Sequence, residues 1–207
     1  VLTLDLHAAQ IQGFFDIPVD NLYASPIFAL DVRHHFKDMS NITVISPDVG
    51  GVARARELAE RIDADLAIVD KRRPAPGEVS QMTIIGDVRN RKCIIVDDIC
   101  DTAGTLVKAV DLLLGNGALE VHAYITHGVL SGKAVDNIET SKIKSLVVTD
   151  SIEATNTVKN SKKIRSVATA PMLAQAMLNI AHGSSVSSLF DDATLGPIYE
   201  AFYPEED

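Results

Sequence analysis

The sequence predicts an α/β fold: a mostly parallel sheet flanked by helices. Three observations predict it. Short apolar runs of strand length recur along the chain, and most are followed by a stretch with helical periodicity. Runs such as 93–96 (Cys-Ile-Ile-Val) are continuous rather than alternating, as in strands covered on both faces. The acids, glycines and bases that stand out follow those runs, where open α/β sheets bind their ligands.

At 207 residues the chain is long enough for one good-sized α/β domain, or one domain with appendages. Hydrophobic residues make up 46% and charged residues 23%, the balance of a soluble globular protein. The net charge of −9 argues against a nucleic-acid partner held by electrostatics, though not against phosphates held locally. Cys93 and Cys100 look like neither a disulfide framework nor a metal pair, so a reducing, cytoplasmic setting is expected. No apolar run is long enough to span a membrane, and no signal-peptide pattern is visible. The chain opens on Val1 rather than Met, directly in a strand pattern; the expectation is that its first part is missing.

Taken in order, 1–6 reads as a short strand and 8–15 as a helix. Pro18 and Pro26 bracket an expected linker at 20–25. A helix follows from 26 to about 37, with His34 and His35 as solvated or boundary residues. A buried strand at 41–46 precedes a helix with Val52, Ala55, Leu58, Ala59 and Ile62 inward, and with Glu57 and Arg61 spaced as an i,i+4 pair. Further strands are expected at 65–70, 82–86, 92–96, 120–126, 145–149 and 165–168. The helix after the fifth of the chain's strands packs Leu106, Val107, Val110, Leu113 and Leu114, and stops at Gly115-Asn116-Gly117. Ser131 caps a short helix that holds Val135 and Ile138 inward. His127 and Gly128 are read as structural, with the glycine permitting a turn. A last helix opens at Pro171 and closes at Gly183. The tail, 184–207, carries Tyr199, Phe202 and Tyr203, aromatics that need a surface to pack on.

The stretch 93–105 (Cys-Ile-Ile-Val-Asp-Asp-Ile-Cys-Asp-Thr-Ala-Gly-Thr) carries the strongest chemistry. Asp97 and Asp98 stand at the strand's end, placed to accept hydrogen bonds from sugar hydroxyls. Asp101, Thr102, Ala103, Gly104 and Thr105 form a small-residue loop at a helix N-terminus, where free N–H groups and the helix dipole cradle a phosphate. A buried strand with a capped helix explains Asp101 or Thr102, but not the adjacent acids. Earlier, Asp48, Gly50 and Gly51 also join a strand to a helix. They are either a tight turn or a close backbone approach to a diphosphate, with Asp48 reaching a hydrated magnesium ion. Lys71-Arg72-Arg73 precedes the Pro/Gly-rich 74–78, the composition of a mobile lid that can offset charge on a transferring phosphoryl group.

Two of these stretches resemble known signatures. Residues 93–105 resemble the signature of the type I phosphoribosyltransferase fold, in which the acids bind ribose hydroxyls and the loop binds the 5-phosphate. Residues 5–20 (Asp-Leu-His-Ala-Ala-Gln-Ile-Gln-Gly-Phe-Phe-Asp-Ile-Pro-Val-Asp) resemble the signature of the ribose-phosphate pyrophosphokinases, without a break. That resemblance implies transfer of the diphosphoryl group of MgATP to ribose 5-phosphate, giving phosphoribosyl pyrophosphate and AMP. It places His7 at the ATP phosphates and, with Asp48, at magnesium. It makes Lys71 and Arg73 the catalytic-loop pair, with Arg73 also near ribose 5-phosphate. It further implies a regulatory anion site at Asp20, Ser185 and Ser187, for which a plain polar loop is the alternative, and a homo-oligomer of dimers assembled into a hexamer.

On this reading 1–22 is the remnant of an N-terminal domain, 23–183 a phosphoribosyltransferase-like domain, and 184–207 a tail that packs towards the remnant. Because much of the family's ATP site lies in the N-terminal domain, the chain by itself is expected to be inactive. Two alternatives are a phosphoribosyltransferase, which shares 93–105 but not the 5–20 signature, and a non-catalytic regulatory homologue, which would lose the site residues this chain keeps.

Overall fold

A computed structural model of the protein describes residues 1–72 and 81–202. The chain forms β1 (Leu2–Leu4), a 3-10 helix (Ala9–Phe14), β2 (Asp20–Leu22), α1 (Ser25–His35), β3 (Ile42–Ser46), α2 (Val52–Ile62), β4 (Asp65–Arg72) and β5 (Gln81–Ile85). It continues through β6 (Lys92–Cys100), α3 (Gly104–Gly115), β7 (Glu120–Gly128), α4 (Ala134–Thr140), β8 (Ser145–Thr149), α5 (Asn156–Lys159) and β9 (Ile164–Val167). It closes with α6 (Ala170–Ala181), a 3-10 turn (Ser187–Phe190) and α7 (Asp192–Phe202).

Seven strands form one sheet in the order β5-β4-β3-β6-β7-β8-β9, all parallel except β5, which runs antiparallel to β4. From β3 the chain winds outward in one direction, and from β6 in the other. The carboxyl ends of β3 and β6 therefore flank the switch point, the crevice where open α/β sheets take ligands.

Both faces of the sheet are covered, which accounts for the continuous apolar runs. Cys93 and Ile95 face a core with Leu106, Val110 and Leu113 of α3 and Ile138 of α4. Ile94 and Val96, on the opposite pleat, face Phe28 and Val32 of α1 and Leu58 of α2. A smaller third core joins Leu22, Ile27, Met172, Leu189, Leu195 and Tyr199, with Leu2 and Leu4 packed against it. The tail thus folds onto the same cluster as β1 and β2, and the Tyr199 hydroxyl donates to the Ala168 carbonyl at 2.7 Å.

Several local expectations change. The expected helix at 8–15 is a 3-10 helix with no buried residue, and Phe14 is 87% exposed. Without a face to bury, a short segment has little reason to complete an α-helical turn. The expected linker at 20–25 instead supplies β2, paired in parallel with β1 (Leu2 with Asp20, Leu4 with Leu22). That pairing is non-local and invisible to local composition. The strand expected at 65–70 extends through Lys71 and Arg72, because both pair with β5, opposite Met82 and Gln81. The strand expected at 92–96 runs on to Cys100, because Ile99 and Cys100 pair with His127 and Gly128 of β7. Gly128 permits a close approach rather than a turn: an added Cβ would stand 2.8 Å from Val148 Cγ1. The tail, for which no element was assigned, contains α7.

Candidate functional site

Asp97 and Asp98 lie in the second half of β6, beside the switch point. A strand alternates its side chains, yet both carboxylates converge on one guanidinium, that of Arg54. Its Nη1 is 3.8 Å from Asp97 Oδ1 and its Nη2 3.7 Å from Asp98 Oδ2. The Asp98 amide also donates to Asp97 Oδ1 at 2.9 Å. Arg54 is on the first turn of α2, directly after the Asp48–Gly51 turn. Its Nε is 3.8 Å from Asp5 Oδ1.

Asp5 is the buried anchor of the cluster. It follows β1 in a left-handed conformation (φ 44°), which short polar side chains tolerate better than most. Its Oδ2 accepts from the Ala24 amide at 3.0 Å and from the Thr126 hydroxyl at 2.5 Å. His127, at the end of β7, presents Nε2 to the Leu4 carbonyl at 3.0 Å and Nδ1 to the Ser151 hydroxyl at 2.9 Å, the structural role expected of it. These bonds fasten the segment around β1 to the carboxyl edge of the sheet. His7 then reaches Asp98, with Nδ1 2.6 Å from Oδ2. The His7 side chain is 79% exposed, so its other ring nitrogen is open to a ligand.

Burial, together with the neighbouring Asp98 and Asp48 charges, pushes the Asp97 carboxyl up to about 7. Burial acts the same way on Asp98, but hydrogen bonds with Asp97 and His7 and the Arg54 charge outweigh it and hold that group below the usual carboxylate range. The pair therefore has unequal affinities for a proton, a property seen at sites that handle charged ligands. Burial also pushes the thiols up, Cys93 to about 12 and Cys100 to about 11, so neither acts as a nucleophile.

The loop 101–105 opens α3. Ala103, at its N-cap, is left-handed (φ 60°), and no side chain caps the helix. The first N–H groups of an α-helix have no intrahelical partner, so a ligand anion can supply one. The loop is braced from outside. Ser131 does not cap α4 as expected; its hydroxyl donates to Asp101 Oδ1, and Asn137 Nδ2 donates to the Thr102 carbonyl at 3.1 Å. Thr102 and Thr105 remain exposed.

At the end of β3, Asp48 Oδ1 accepts from the Gly51 amide at 2.9 Å, so the acid shapes the turn into α2. Gly51 is tightly seated: an added Cβ would lie 3.0 Å from Ser46 Oγ. Among the described residues no three His, Cys, Asp or Glu side chains are grouped as a metal cage. Magnesium does not need one. It binds through one or two carboxylates, waters and substrate phosphates, and the Asp48 carboxylate fits that pattern.

The backbone of Lys71 lies in β4, one residue before its end, while Arg73 and the Pro/Gly-rich 74–78 of the expected lid lie outside the described residues, as does Tyr203. Ser185 and Ser187 share a hydrogen bond at 2.8 Å, but among the described residues neither hydroxyl bonds Asp20, whose strand pairs with β1. A cavity of about 420 Å³ between α1, β9 and α7 is lined by none of these site residues.

These elements bring an acid pair, a helix-opening loop and a glycine turn together at the switch point of a mostly parallel α/β sheet. Residues 71–191 match the phosphoribosyl synthetase-associated domain model, and the chain belongs to that family. It is 68% identical over 204 residues to the ribose-phosphate pyrophosphokinase of Cereibacter sphaeroides, and 58% identical over 191 residues to that of Agrobacterium fabrum. These alignments cover 98% and 92% of the chain; in both cases the chain spans 61% of the relative's length. The fold is similar to the crystal structure of phosphoribosylpyrophosphate synthetase from Mycobacterium smegmatis, with a TM-score of 0.80 at 33% identity. That match covers 88% of this chain and 59% of the other.

Arg54 and Asp5 were not among the residues singled out for the site. Arg54 reads as one more polar position of an amphipathic helix, and Asp5 as a strand-end acid. The signal available was position alone: Arg54 follows the Asp48–Gly51 turn within one helical turn.

Proposed function

We propose that the complete protein is a ribose-phosphate diphosphokinase. It transfers the diphosphoryl group of MgATP to the 1-hydroxyl of ribose 5-phosphate, giving phosphoribosyl pyrophosphate and AMP for nucleotide biosynthesis. What carries this reading is the gathering of the Asp97–Asp98 pair, the 101–105 loop, the Asp48–Gly51 turn and His7 at one edge of the sheet.

In this reading the loop N–H groups and the Thr102 and Thr105 hydroxyls hold the 5-phosphate, and Asp97 with Asp98 orients the ribose hydroxyls. Gly50 and Gly51 let the backbone approach the diphosphate, while His7 and Asp48 contribute to the magnesium site. Bound there, magnesium offsets phosphate charge as the diphosphoryl group moves. Lys71 and Arg73 add positive charge to the same group. Little covalent chemistry falls to the protein, which positions the 1-hydroxyl in line and neutralises charge.

We also place the protein in the cytoplasm. Its two free, buried cysteines support this, and no described helix is long and apolar enough to cross a membrane. Assembly as a homo-oligomer is proposed on the family resemblance. Asp20, Ser185 and Ser187 are proposed as a regulatory anion site on the family resemblance.

The test is an assay of the complete protein with ATP and ribose 5-phosphate, following AMP and phosphoribosyl pyrophosphate. Lys71→Ala should lower kcat by about 100-fold, the scale of losing one charge-stabilising group. An unchanged rate removes Lys71 from the mechanism. Release of diphosphate with a nucleobase, and no AMP, identifies a phosphoribosyltransferase instead. The 207-residue chain alone should release no AMP, because the relatives carry further sequence that it does not span.

A further inference from the structure

We infer that Arg54 is the positioning residue that aims the Asp97 and Asp98 carboxylates at the sugar hydroxyls, and so sets the preference for ribose over a deoxy sugar. The inference rests on the ribose 5-phosphate reading of this site.

Arg54 stands between one fixed acid and two working ones. Behind it, Asp5 is 2% exposed and held by Ala24 and Thr126 through a single oxygen. Its other oxygen, Oδ1, faces Arg54 Nε, and both atoms are buried without a hydrogen-bond partner. In front, Nη1 and Nη2 reach Asp97 and Asp98 at 3.8 and 3.7 Å. All three contacts are close enough for charge to act and too long for hydrogen bonds.

This spacing has a chemical consequence. A guanidinium that closed on the acids would use the lone pairs that a sugar diol needs. Held slightly off, Arg54 offsets the repulsion between two adjacent carboxylates and leaves their oxygens available. A planar, always-charged group with donors on several edges can face three acids at once, whereas an ammonium is a point charge. Its side chain is 20% exposed, so water screens the interaction little.

The same residue adjoins the Asp48–Gly51 turn, so direct contact with phosphates is the competing role. Calorimetry on the 207-residue chain separates them, using ribose 5-phosphate, 2-deoxyribose 5-phosphate and inorganic phosphate as probes. Wild type should prefer the ribose compound by roughly 10–100-fold, the scale of losing one hydrogen bond to a charged group. Arg54→Gln should weaken ribose 5-phosphate by about 10–100-fold, the range for removing a group that orients a ligand-binding side chain. It should bring the two sugars to within about twofold of each other and leave inorganic phosphate within about twofold of wild type. Arg54→Lys should restore part of the preference. A preserved sugar preference in Arg54→Gln overturns the inference, as does equal loss of all three probes in a folded variant. If Arg54→Gln does not show a cooperative melt, Arg54→Lys decides: an unchanged preference overturns the inference, and a reduced one supports it. Wild type that binds phosphate but neither sugar phosphate overturns the ribose reading and the inference together. Wild type that prefers ribose beside an unchanged Arg54→Gln overturns the inference alone.

Discussion

Two arginines in this molecule sit among buried and part-buried acids, and they are held in opposite ways. Arg165 on β9 closes on Asp31 of α1 with both Nη atoms, one of them at 2.7 Å from Oδ1. The Tyr124 hydroxyl completes that group, donating to Asp31 Oδ2 at 2.7 Å. Arg54 faces more acid, yet touches none at hydrogen-bond distance and leaves buried polar atoms without partners. A satisfied network ties elements together; an unsatisfied one at a switch point holds its capacity for a ligand. The difference also appears in proton affinity. Burial leads the upward push on the Tyr124 hydroxyl, which stays a donor inside its closed group. Asp97 in the open group is pushed up to about 7, near the point of losing its charge.

The comparison breaks most readily at Asp97. Asp97→Asn should weaken ribose 5-phosphate by about 100-fold, the scale of losing a charge-assisted acceptor, while raising Tm by roughly 2–4 °C because a buried charge is removed. A loss of both binding and stability would make Asp97 architectural, like Asp31. The converse change is Arg165→Ala, which should cost roughly 2 kcal/mol and lower Tm by several degrees. This is less than for a fully buried pair, because the Arg165 side chain is 34% exposed. Ribose 5-phosphate affinity should stay within about twofold. A large fall would show that the two arginines belong to one network.

The pH dependence of stability should be smaller. The folded Asp97 carboxyl holds its proton up to about 7, against an ordinary value of 3.8. Between those values the folded state binds more protons than the unfolded one, so stability falls as pH rises from about 4 to about 7. Thermal melts across that window should show the decline in wild type and lose much of it in Asp97→Asn. Tyr124→Phe should have the smallest effect, about 1 kcal/mol for one hydroxyl bond in the closed group, read from urea unfolding. No measurable change would mean that the Arg165–Asp31 pair holds without its third member.

Much of the fold was legible in the residues. Periods of helix and strand placed α2, β3, α3, β7, β8 and α6 close to where they stand, because their apolar patterns are long and regular. The departures share one cause. β2, the far end of β6 and the extension of β4 exist through pairing with distant strands, which local composition does not carry. At the site, the acid pair and the 101–105 loop stood out because their residue types are unusual at a strand end. Arg54 and Asp5 did not, since an arginine on an amphipathic helix and an acid after a strand are common. Ser131 was misassigned for a related reason: a serine before a helix suits a cap, and only the fold brings it to Asp101.

The sequence by itself determined the alternation of strands and helices, the two covered faces of the sheet and the side chains at its carboxyl edge. Covalent order and apolar period are local properties, and they suffice for that. The tertiary structure decided which charges meet. Asp5 just after β1, Arg54 on α2 and Asp98 on β6 are far apart in the chain, and packing of α2 against the sheet brings them within 4 Å. Charge interactions depend on distance and burial, and a linear sequence contains neither until it folds.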